Sequence, residues 1–393
     1  MSSSSRRNFL AAGLVLPAAA SASRSTETPQ QQSPAPSRLS SAPSFEYRIL
    51  GKTGLKVTSV GFGCMITSDG SVVERAADLG ITYFDTARGY QQGNNERMVG
   101  AALKNKRKDI ILSTKTHSGN RADALKDLDT SLKELGTDHV DIWYLHAKTR
   151  PEEITDDLID AQQTAKKAGK IRFAGVSTHS GQSALIPFAA KHEKIDVILT
   201  AYNFTMEPVM TAVIEEAVKA GKGVVAMKIM AGGSGGGRGR GGVNPNAQKL
   251  KAPGAMASVL RWVTRNPNVH TTVPSMTDMD QLDENIRAGV QAFSSADAKL
   301  LAVHRELIRP IYCNMCGQCD GMCPKGLPVQ DVLRFATYAD GYGQFALGRE
   351  RFQELASAHT SVRCGDCPSC TVQCPHGVLV ADRLIRAQEL FAC

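Results

Sequence analysis

The sequence predicts an α/β protein: a (β/α)8 TIM barrel followed by a small α-helical iron–sulfur domain. Three observations predict this architecture. Between residues 47 and 290, short apolar strands alternate with amphipathic helices, which is typical of a parallel sheet covered by helices. Eight such units in about 245 residues match the size of a barrel. Near the C-terminus, eight of the ten cysteines follow a doubled spacing that is typical of iron–sulfur proteins.

The first 45 residues predict a targeting segment and a linker. An Arg-Arg pair at positions 6 and 7 precedes an apolar run, Leu10–Ala20, that is too short for a stable membrane span. A small-residue cleavage site follows at Ala22. Residues 1–22 resemble a twin-arginine signal, whose pathway exports folded proteins, so we expect export to a bacterial periplasm. Residues 23–45 are rich in Ser, Pro, Gln and Thr, which predicts a disordered linker.

Eight segments of the repeating region predict the barrel strands. They are Thr58–Phe62, Ile81–Asp85, Ile110–Lys115, Val140–Leu145, Ile171–Val176, Ile195–Thr200, Gly223–Lys228 and His270–Val273. The helix Arg121–Leu135 carries leucines at helical spacing and ends at Gly136, a typical helix stop. The competing architecture is a doubly wound open sheet. Against it, no G-x-G-x-x-G motif follows the first strand, although Gly61-Phe62-Gly63 lies there.

Polar side chains lie where three successive strands end. Asp85 ends the second strand with Tyr90 just beyond it, Lys115 ends the third strand, and His146 follows the fourth. Barrel enzymes place catalytic groups at these ends, so we expect the four side chains to lie close together. A phenol beside an ammonium that is paired with a carboxylate is expected to have a lowered pKa, because the cation favours the phenolate. Tyr90 is therefore predicted to exchange a proton near neutral pH, with His146 aiming a carbonyl oxygen at it.

Six segments with recognisable motifs cover most of the predicted barrel: Arg48–Val57, Gly61-Phe62-Gly63, Phe84–Ala87, Gly93–Arg97, Ser131–Asp138 and Gly169–Ser177. Through these segments, residues 46–295 resemble the aldo-keto reductase family. The resemblance implies a catalytic tetrad, which maps onto Asp85, Tyr90, Lys115 and His146. It also implies hydride transfer between NAD(P)(H) and an aldehyde, ketone or sugar-like carbonyl compound, with Tyr90 as the acid.

The same resemblance implies a dinucleotide that lies across the top of the barrel. The residues assigned to this site are Gly63, Cys64, Ser177, Met227, Lys228, Gly232, Gly233, Ser275, Met276, Gln281, Glu284 and Asn285. Ser275 and Gln281 stand where members that favour NADPH often carry cations, so the choice between NAD and NADP stays open. Met227 and Leu199 replace the tyrosine and glutamine that hold nicotinamide in many members. The glycine-rich loop 232–242 either clamps the pyrophosphate of a tightly bound nucleotide or is a flexible surface loop.

The clustered cysteines predict two [4Fe–4S] clusters. Their spacing is Cys-x2-Cys-x2-Cys-x3-Cys-Pro, found twice, and in this spacing the fourth cysteine reaches the other cluster. The two expected ligand sets are Cys313, Cys316, Cys319 and Cys374, and Cys364, Cys367, Cys370 and Cys323. Disulfides and structural zinc are the alternatives. Residues 296–393, a linker helix and the cluster domain, resemble the C-terminal ferredoxin-like domain of an aldo-keto reductase subgroup. Val329–Leu355 within it predicts one or two helices broken near Gly341 and Gly343.

Composition narrows the function classes. A hydrophobic fraction of 42% is ordinary for a globular protein, and a net charge of +8 without a basic stripe argues against nucleic-acid binding. We expect an oxidoreductase that acts on a small carbonyl or hydroxyl substrate. The clusters are expected to be structural or to exchange electrons with a redox partner protein. The alternatives are an iron–sulfur electron-transfer protein and a carbonyl-ligand binding module, each on a barrel that has lost catalysis.

Overall fold

The computed structural model describes residues 38–41, 43–206, 208–232 and 253–391. The predicted export signal, most of the predicted linker, and Gly233 with the rest of the glycine-rich loop lie outside the described residues. From Leu39 onward the described residues form one compact unit. Leu39 and Phe45, at the end of the predicted linker, pack against the barrel. No helix in the described ranges is both long enough and apolar enough to span a membrane.

A short antiparallel hairpin precedes the barrel. Its strands are β1 (Tyr47–Ile49) and β2 (Lys56–Thr58), and Tyr47 pairs with Thr58. The first predicted strand is therefore divided, because its residue Thr58 belongs to the hairpin and its last residue, Phe62, begins the barrel sheet.

An eight-stranded parallel sheet forms the barrel. Its strands are β3 (Phe62–Gly63), β4 (Tyr83–Asp85), β5 (Ile111–Thr116), β6 (Val140–Leu145), β7 (Ile171–Thr178), β8 (Val197–Ala201), β9 (Gly223–Met227) and β10 (Thr271–Thr272). Each strand pairs with the next in the chain, and a parallel bridge from Val60 to Thr272 closes the ring. Closure needs a glycine at position 61, where a Cβ atom would lie 2.7 Å from the carbonyl oxygen of Thr272. The predicted (β/α)8 barrel is confirmed.

Helices cover the outside of the sheet. They are α1 (Gly70–Asp78), α2 (Asn94–Leu103), α3 (Arg121–Leu135), α4 (Asp156–Lys167), α5 (Gln182–Lys191), α6 (Pro208–Lys219), α7 (Ala255–Thr264) and α8 (Met279–Gly289). The helix α3 has the predicted bounds. Asn120 caps its first turn by accepting a bond from the amide of Asp123, and Gly136 ends it with φ +64°.

A helical C-terminal region follows the barrel. Its helices are α9 (Ser295–Ile308), α10 (Val329–Asp340), α11 (Phe345–Gln353), α12 (Ser357–Thr360) and α13 (Val380–Phe391). The helical structure is interrupted between α10 and α11 at the predicted place, where Gly343 has φ +68°. These helices build a second apolar core, against which six of the eight clustered cysteines pack.

The C-terminal region lies on the end of the barrel where the strands finish. Arg351 Nη2 donates to the carbonyl oxygen of Gly89, beyond β4, at 3.3 Å. Asn203 Nδ2, beyond β8, donates to the hydroxyl of Tyr312 at 3.0 Å. The backbones also approach closely, because a Cβ atom at Gly341 would lie 2.2 Å from the oxygen of Gly232. The second core thus covers the end of the barrel where catalytic groups are expected.

Candidate active site

The four predicted catalytic side chains meet at the C-terminal end of the barrel. Asp85 is the last residue of β4, and Tyr90 begins a short 3-10 turn beyond it. Lys115 is the next-to-last residue of β5, and His146 directly follows β6. Lys115 Nζ lies 2.6 Å from Asp85 Oδ2 and 3.4 Å from the hydroxyl oxygen of Tyr90. The rings of Tyr90 and His146 meet edge to face, with their centroids 5.8 Å apart. The lysine therefore links the carboxylate to the phenol, and the imidazole borders the phenol.

The Lys115–Asp85 ion pair is buried and its polar atoms are satisfied. Only 1% of Lys115 and 4% of Asp85 is exposed. Lys115 Nζ also donates to the carbonyl oxygen of Thr86 at 2.7 Å, and the other oxygen of Asp85 accepts a bond from Ser113 Oγ at 2.7 Å. An ammonium has three protons, so the carboxylate, the carbonyl and the phenol account for all of them. Burial lowers the pKa of Lys115, and Asp85 opposes that shift.

The pKa of Tyr90 lies well above its ordinary value, which is opposite to the predicted shift. Burial is the largest cause, because it penalises the phenolate, and the carboxylate of Asp85 raises the pKa further. The prediction was wrong because it weighed the ammonium of Lys115 and left out the loss of water around the phenol. Tyr90 is therefore protonated at neutral pH, as a proton donor must be.

A buried network fixes the turn that carries Tyr90. Glu96 in α2 is fully buried, accepts a bond from Thr114 Oγ1 at 2.6 Å and forms an ion pair with Arg88. Gly93 lets this arginine pass, because a Cβ atom there would lie 1.7 Å from Arg88 Nη2. Arg88 therefore anchors the turn.

Backbone strain accumulates around the same end of the barrel. Among the described residues, five other than glycine have φ between 43° and 55°: Gln91, Gln92, Ala147, Lys228 and Ala231. Three of them directly follow Tyr90, His146 or Met227. Left-handed backbone in non-glycine residues is uncommon, and it concentrates at functional sites where the surrounding structure holds it in place.

Three imidazoles lie together near the tetrad. The rings of His117 and His146 stack with centroids 3.9 Å apart. The Nδ1 atoms of His146 and His179 are buried and have no hydrogen-bond partner within the described residues. Burial, aided by neighbouring cations, holds the pKa of both well below the ordinary value and lowers that of His117 to about 4. All three rings are neutral at pH 7, so each can donate one hydrogen bond and accept another.

The residues predicted to hold nicotinamide lie in the C-terminal halves of the barrel strands or directly after them. Ser177 Oγ in β7 accepts a bond from the amide of Ala147 at 2.9 Å. Met227 and Leu199 are buried together in the inner core of the barrel. Gly63 lies against β10, where a Cβ atom would meet the oxygen of Val273 at 2.5 Å. Cys64 is fully buried, and its burial holds the pKa of the thiol well above the ordinary value.

The predicted adenosine segment surrounds the start of α8. Gln281 is exposed, and its side chain donates to Thr277 Oγ1 at 2.9 Å and to Asp278 Oδ2 at 2.7 Å. Asp278 also caps the helix. Ser275 is half-buried, Met276 and Asn285 are buried, and Glu284 is exposed. The place where a 2′-phosphate is expected therefore carries a carboxylate, and residues 274–285 include no lysine or arginine.

The C-terminal region adds side chains that the sequence reasoning missed. Lys228 Nζ lies 4.7 Å from the ring centroid of Tyr338 and 5.5 Å from that of Tyr342. Burial alone raises the pKa of Tyr338, but Lys228, Arg334 and Arg351 together outweigh it and lower the pKa. The sequence did indicate that Arg334 and Tyr338 share one face of a helix, because they stand four residues apart in a predicted helix. Nothing in the sequence says that this face meets the barrel.

The clustered cysteines form two groups of free thiols. Cys313 interacts electrostatically with Cys316, Cys319 and Cys374. Cys364 interacts with Cys367, Cys370 and Cys323. The fourth cysteine of each run thus lies with the first three of the other. Within the ranges that the structure describes, no three Cys, His, Asp or Glu side chains converge closely enough to hold a single metal ion.

Known proteins match the barrel. Residues 68–306 match the Aldo/keto reductase family. The uncharacterized oxidoreductase YqkF of Bacillus subtilis is 38% identical over 150 residues, 33% of this chain and 48% of that protein. An L-glyceraldehyde 3-phosphate reductase of Escherichia coli O157:H7 is 30% identical over 188 residues, 40% of this chain and 54% of that protein. The chain thus spans about half the length of these curated relatives.

A solved structure agrees with these matches. The holo form of the aldo-keto reductase AKR11C1 from Bacillus halodurans has a TM-score of 0.56 and 26% identity, covering 70% of this chain and 98% of its own. Since the family match extends over more than half of the sequence, and the barrel carries the expected side chains at its strand ends, the chain belongs to the aldo/keto reductase family.

Proposed function

We propose that this protein transfers hydride between NAD(P)(H) and a small aldehyde or ketone, with Tyr90 as the proton donor. One observation carries the proposal: Lys115 contacts both Asp85 and Tyr90 in a buried site at the end of a barrel. The names of two relatives, L-glyceraldehyde 3-phosphate reductase and L-galactose dehydrogenase, denote chemistry at a carbonyl or alcohol carbon and support the proposal.

A nicotinamide dinucleotide fits the residues of this site. Ser177 Oγ accepts a bond from the amide of Ala147, which leaves its hydroxyl proton free to donate to a carboxamide oxygen. Met227 and Leu199 offer an apolar wall to the ring. Lys228, Gly232 and the segment from Ser275 to Asn285 would hold the rest of the molecule. When bound, the nicotinamide supplies the hydride.

The chain's own residues manage the proton. Neutral His146 donates a hydrogen bond to the carbonyl oxygen and so orients the substrate toward Tyr90. Tyr90 gives its proton to that oxygen as negative charge develops there. Lys115 stabilises the phenolate that remains, because its ammonium lies 3.4 Å from the phenol oxygen. Asp85 keeps Lys115 charged and fixed in place.

We also propose that the C-terminal region holds two [4Fe–4S] clusters in a ferredoxin-like arrangement. The two electrostatic groups of thiols support the crossed ligand sets expected from the spacing. Each cysteine of such a cluster binds a different iron, so the thiolates stand farther apart than the ligands of one metal ion. Cys313 packs against both the barrel core and the C-terminal core, which favours one cluster beside the catalytic end.

The clusters and the hydride need not share one circuit. Hydride carries two electrons together, whereas each cluster exchanges one. We propose that the clusters stabilise the C-terminal region or exchange electrons with a partner protein that docks there.

Export is the remaining part of the proposal. The twin-arginine segment supports transport of the folded, cluster-loaded protein to the periplasm. Because little free NAD(P)H is available there, a nucleotide loaded before export and held tightly follows from the same proposal.

A second candidate is an electron-transfer or carbonyl-binding protein on the same barrel. The burial of Met227 and Leu199, at positions that are polar or aromatic in many family members, favours it. In that case the tetrad would bind a carbonyl group without reducing it.

The test uses anaerobically purified mature protein. Iron and acid-released nucleotide are measured first, and NAD(P)H oxidation is then followed with a panel of aldehydes, ketones and sugars. The proposal predicts turnover that falls by about 100-fold or more in Tyr90→Phe, because general acid catalysis contributes roughly that much. Carbonyl binding without turnover, unchanged in Tyr90→Phe, would favour the second candidate.

A further inference from the structure

The surface where α10 and α11 meet the barrel carries several cations close to the tetrad. Lys228 comes from the end of β9, Arg334 from α10 and Arg351 from α11. Arg351 Nη2 bonds the carbonyl oxygen of Gly89, the residue directly before Tyr90. Lys228, Arg334 and Arg351 all interact electrostatically with the phenol of Tyr338, and Tyr338 in turn interacts with Tyr90. We call Lys228, Arg334, Arg351 and Tyr338 the mouth cluster.

Few carboxylates balance these cations. Lys228 Nζ has no carboxylate within ion-pair distance among the described residues, and it contacts Met65 Sδ at 3.9 Å and the hydroxyl of Tyr338. Arg334 pairs with Asp331 on one side, yet its Nε atom is buried and has no partner in the described parts of the chain. An unpaired buried donor on a guanidinium costs free energy, which a bound acceptor would recover.

The partners of the two arginines face solvent more than the arginines do. The side chain of Arg351 is 21% exposed, whereas that of its partner Glu354 is 52% exposed. The side chain of Arg334 is 16% exposed and that of Asp331 is 36% exposed. Water therefore screens the carboxylates more than the guanidinium groups, and the inner side of the mouth cluster keeps a positive potential.

The neighbouring imidazoles report that potential. The charged groups that act on His117 are Arg351, Lys148, Lys115 and Arg334, and those that act on His179 include Arg334, Lys228 and Lys115. Each of these cations disfavours the imidazolium, and burial does the same. The buried Nδ1 atom of His179 has no partner among the described residues, so a polar group of a ligand can still bind there.

We propose that the mouth cluster is a subsite for an anionic group of the substrate, so that the protein acts on carbonyl compounds that carry a carboxylate or phosphate. The proposal rests on the carbonyl chemistry proposed above and adds the substrate class. The C-terminal region supplies two guanidinium groups and a phenol, which are suited to the oxygen atoms of carboxylate and phosphate groups. The selectivity thus comes from the region that follows the barrel.

The pyrophosphate of the nucleotide is the other anion that these cations could serve. One contact and one electrostatic relationship favour the substrate. Arg351 bonds the residue next to Tyr90, and it also acts electrostatically on His117 and His146, at the end of the site where the carbonyl group is reduced. The experiment separates the two anions by measuring the aldehyde and the nucleotide independently.

The test compares matched aldehydes on the anaerobic holoprotein. Succinic semialdehyde and butanal form one pair, and glyceraldehyde 3-phosphate and glyceraldehyde form the other. Within at least one pair the anionic member should have a kcat/KM roughly tenfold or more above the neutral member, as charge-assisted contacts imply. In Arg334→Gln and Arg351→Gln that ratio should fall by roughly tenfold, mainly through KM for the anionic aldehyde.

A second arginine of the C-terminal region serves as the control. Arg363→Gln removes an exposed arginine of the same region, whose side chain donates to the backbone oxygens of Thr360 and Val362 within the described residues, and it should leave the ratio unchanged. A ratio near one in the wild type overturns the proposal while the carbonyl chemistry stands. Variants that raise KM for NAD(P)H and leave the aldehyde ratio intact assign the cations to the nucleotide and also overturn it.

A binding measurement covers protein that turns over neither aldehyde. Calorimetric titration with succinate should then show binding that weakens by roughly tenfold in Arg334→Gln and Arg351→Gln, compared with Arg363→Gln. Binding of this kind would keep the anion subsite and reject the reductase proposal. Absence of succinate and phosphate binding would reject the subsite itself. Circular dichroism and iron content confirm that each variant is folded.

Discussion

Arg351, from the helix α11, donates a hydrogen bond at 3.3 Å to the carbonyl oxygen of Gly89, the residue before Tyr90. This contact joins the C-terminal region to the turn that carries the proposed proton donor. A region that follows the barrel in sequence thus becomes part of the active-site wall. The consequence is that changes on α10 and α11 should affect the chemistry of the barrel as well as the stability of the C-terminal region.

Removal of one partner from the buried Lys115–Asp85 pair should be costly. Asp85→Asn leaves the ammonium of Lys115 without its carboxylate, so we expect the free energy of unfolding to fall by about 3–5 kcal/mol. Urea denaturation of the anaerobic protein measures this loss. The double variant Asp85→Asn/Lys115→Met should lose less than the sum of the two single variants, because it leaves no unpaired charge. Additive losses would show that the two side chains do not act as a pair.

The two directions of the reaction should depend differently on pH. Reduction needs the protonated phenol of Tyr90, and burial holds the pKa of this phenol well above its ordinary value of 10.0. Deprotonation of Tyr90 should therefore not lower kcat/KM for reduction at any pH up to 10. Alcohol oxidation needs the phenolate and should rise by about tenfold per pH unit over the same range. Initial rates in both directions check this prediction. A fall of the reduction rate between pH 7 and 9 that is absent in Tyr90→Phe would contradict it.

The turn that holds Tyr90 should not tolerate a side chain at Gly93. Gly93→Ala would place a Cβ atom 1.7 Å from Arg88 Nη2, at a backbone φ of +88°. Arg88 must then move away from Glu96, which is fully buried and would lose its cation. We expect both kcat and thermal stability to fall. Gly119→Ala is the matched control, because no atom of the described residues lies within 4 Å of a Cβ at that position and its φ lies outside the left-handed range.

Cysteines that bind the same cluster should have the same effect when substituted, even though they come from different cysteine runs. Cys374→Ser should give the same loss of iron and the same electron paramagnetic resonance change as Cys313→Ser, because these thiols lie in one group. Cys323→Ser should match Cys364→Ser instead. If Cys323→Ser matched Cys313→Ser, the crossed arrangement would be wrong. Cys64→Ser should leave the iron content unchanged, since Cys64 is buried in the barrel core.

The coenzyme preference should follow from the start of α8. The side chain of Gln281 donates to Asp278, and residues 274–285 contain no lysine or arginine to pair with a 2′-phosphate. We expect NADH to be used at least as well as NADPH. Gln281→Arg should raise kcat/KM for NADPH by roughly tenfold, because it adds a charge-assisted contact. The same variant assayed with NADH is the internal control, and an equal rise with both nucleotides would contradict the explanation.

The sequence predicted the barrel and the convergence of the four candidate side chains because both follow from local patterns. Apolar strands alternate with helices, and Asp85, Lys115 and His146 stand at strand ends, so closing the sheet brings them together. The same patterns gave the bounds of α3 and the break after α10. The first strand was placed too early because its alternation did not distinguish the hairpin residue Thr58 from the barrel residue Phe62.

What the sequence did not predict depends on solvent and on long-range packing. The direction of the pKa shift of Tyr90 is set by its burial, which only the folded chain shows. The approach of Tyr338 and Arg351 to the tetrad depends on how α10 and α11 dock, and no spacing in the sequence encodes that docking. His179 was overlooked for the same reason, since a histidine just beyond a strand becomes notable only once it is buried without a partner for its Nδ1 atom.

The hydride itself can be followed with an isotope label. Anaerobic holoprotein whose bound nucleotide has been exchanged for NADH or NADPH deuterated at the transferable position of C4 is mixed with the best aldehyde of the panel, and the alcohol is analysed by mass spectrometry and NMR. We expect one deuterium on the alcohol carbon, with transfer reduced by about 100-fold in Tyr90→Phe. An alcohol formed without deuterium from either position of C4, or no alcohol from protein that carries full iron and binds the nucleotide, would contradict this expectation.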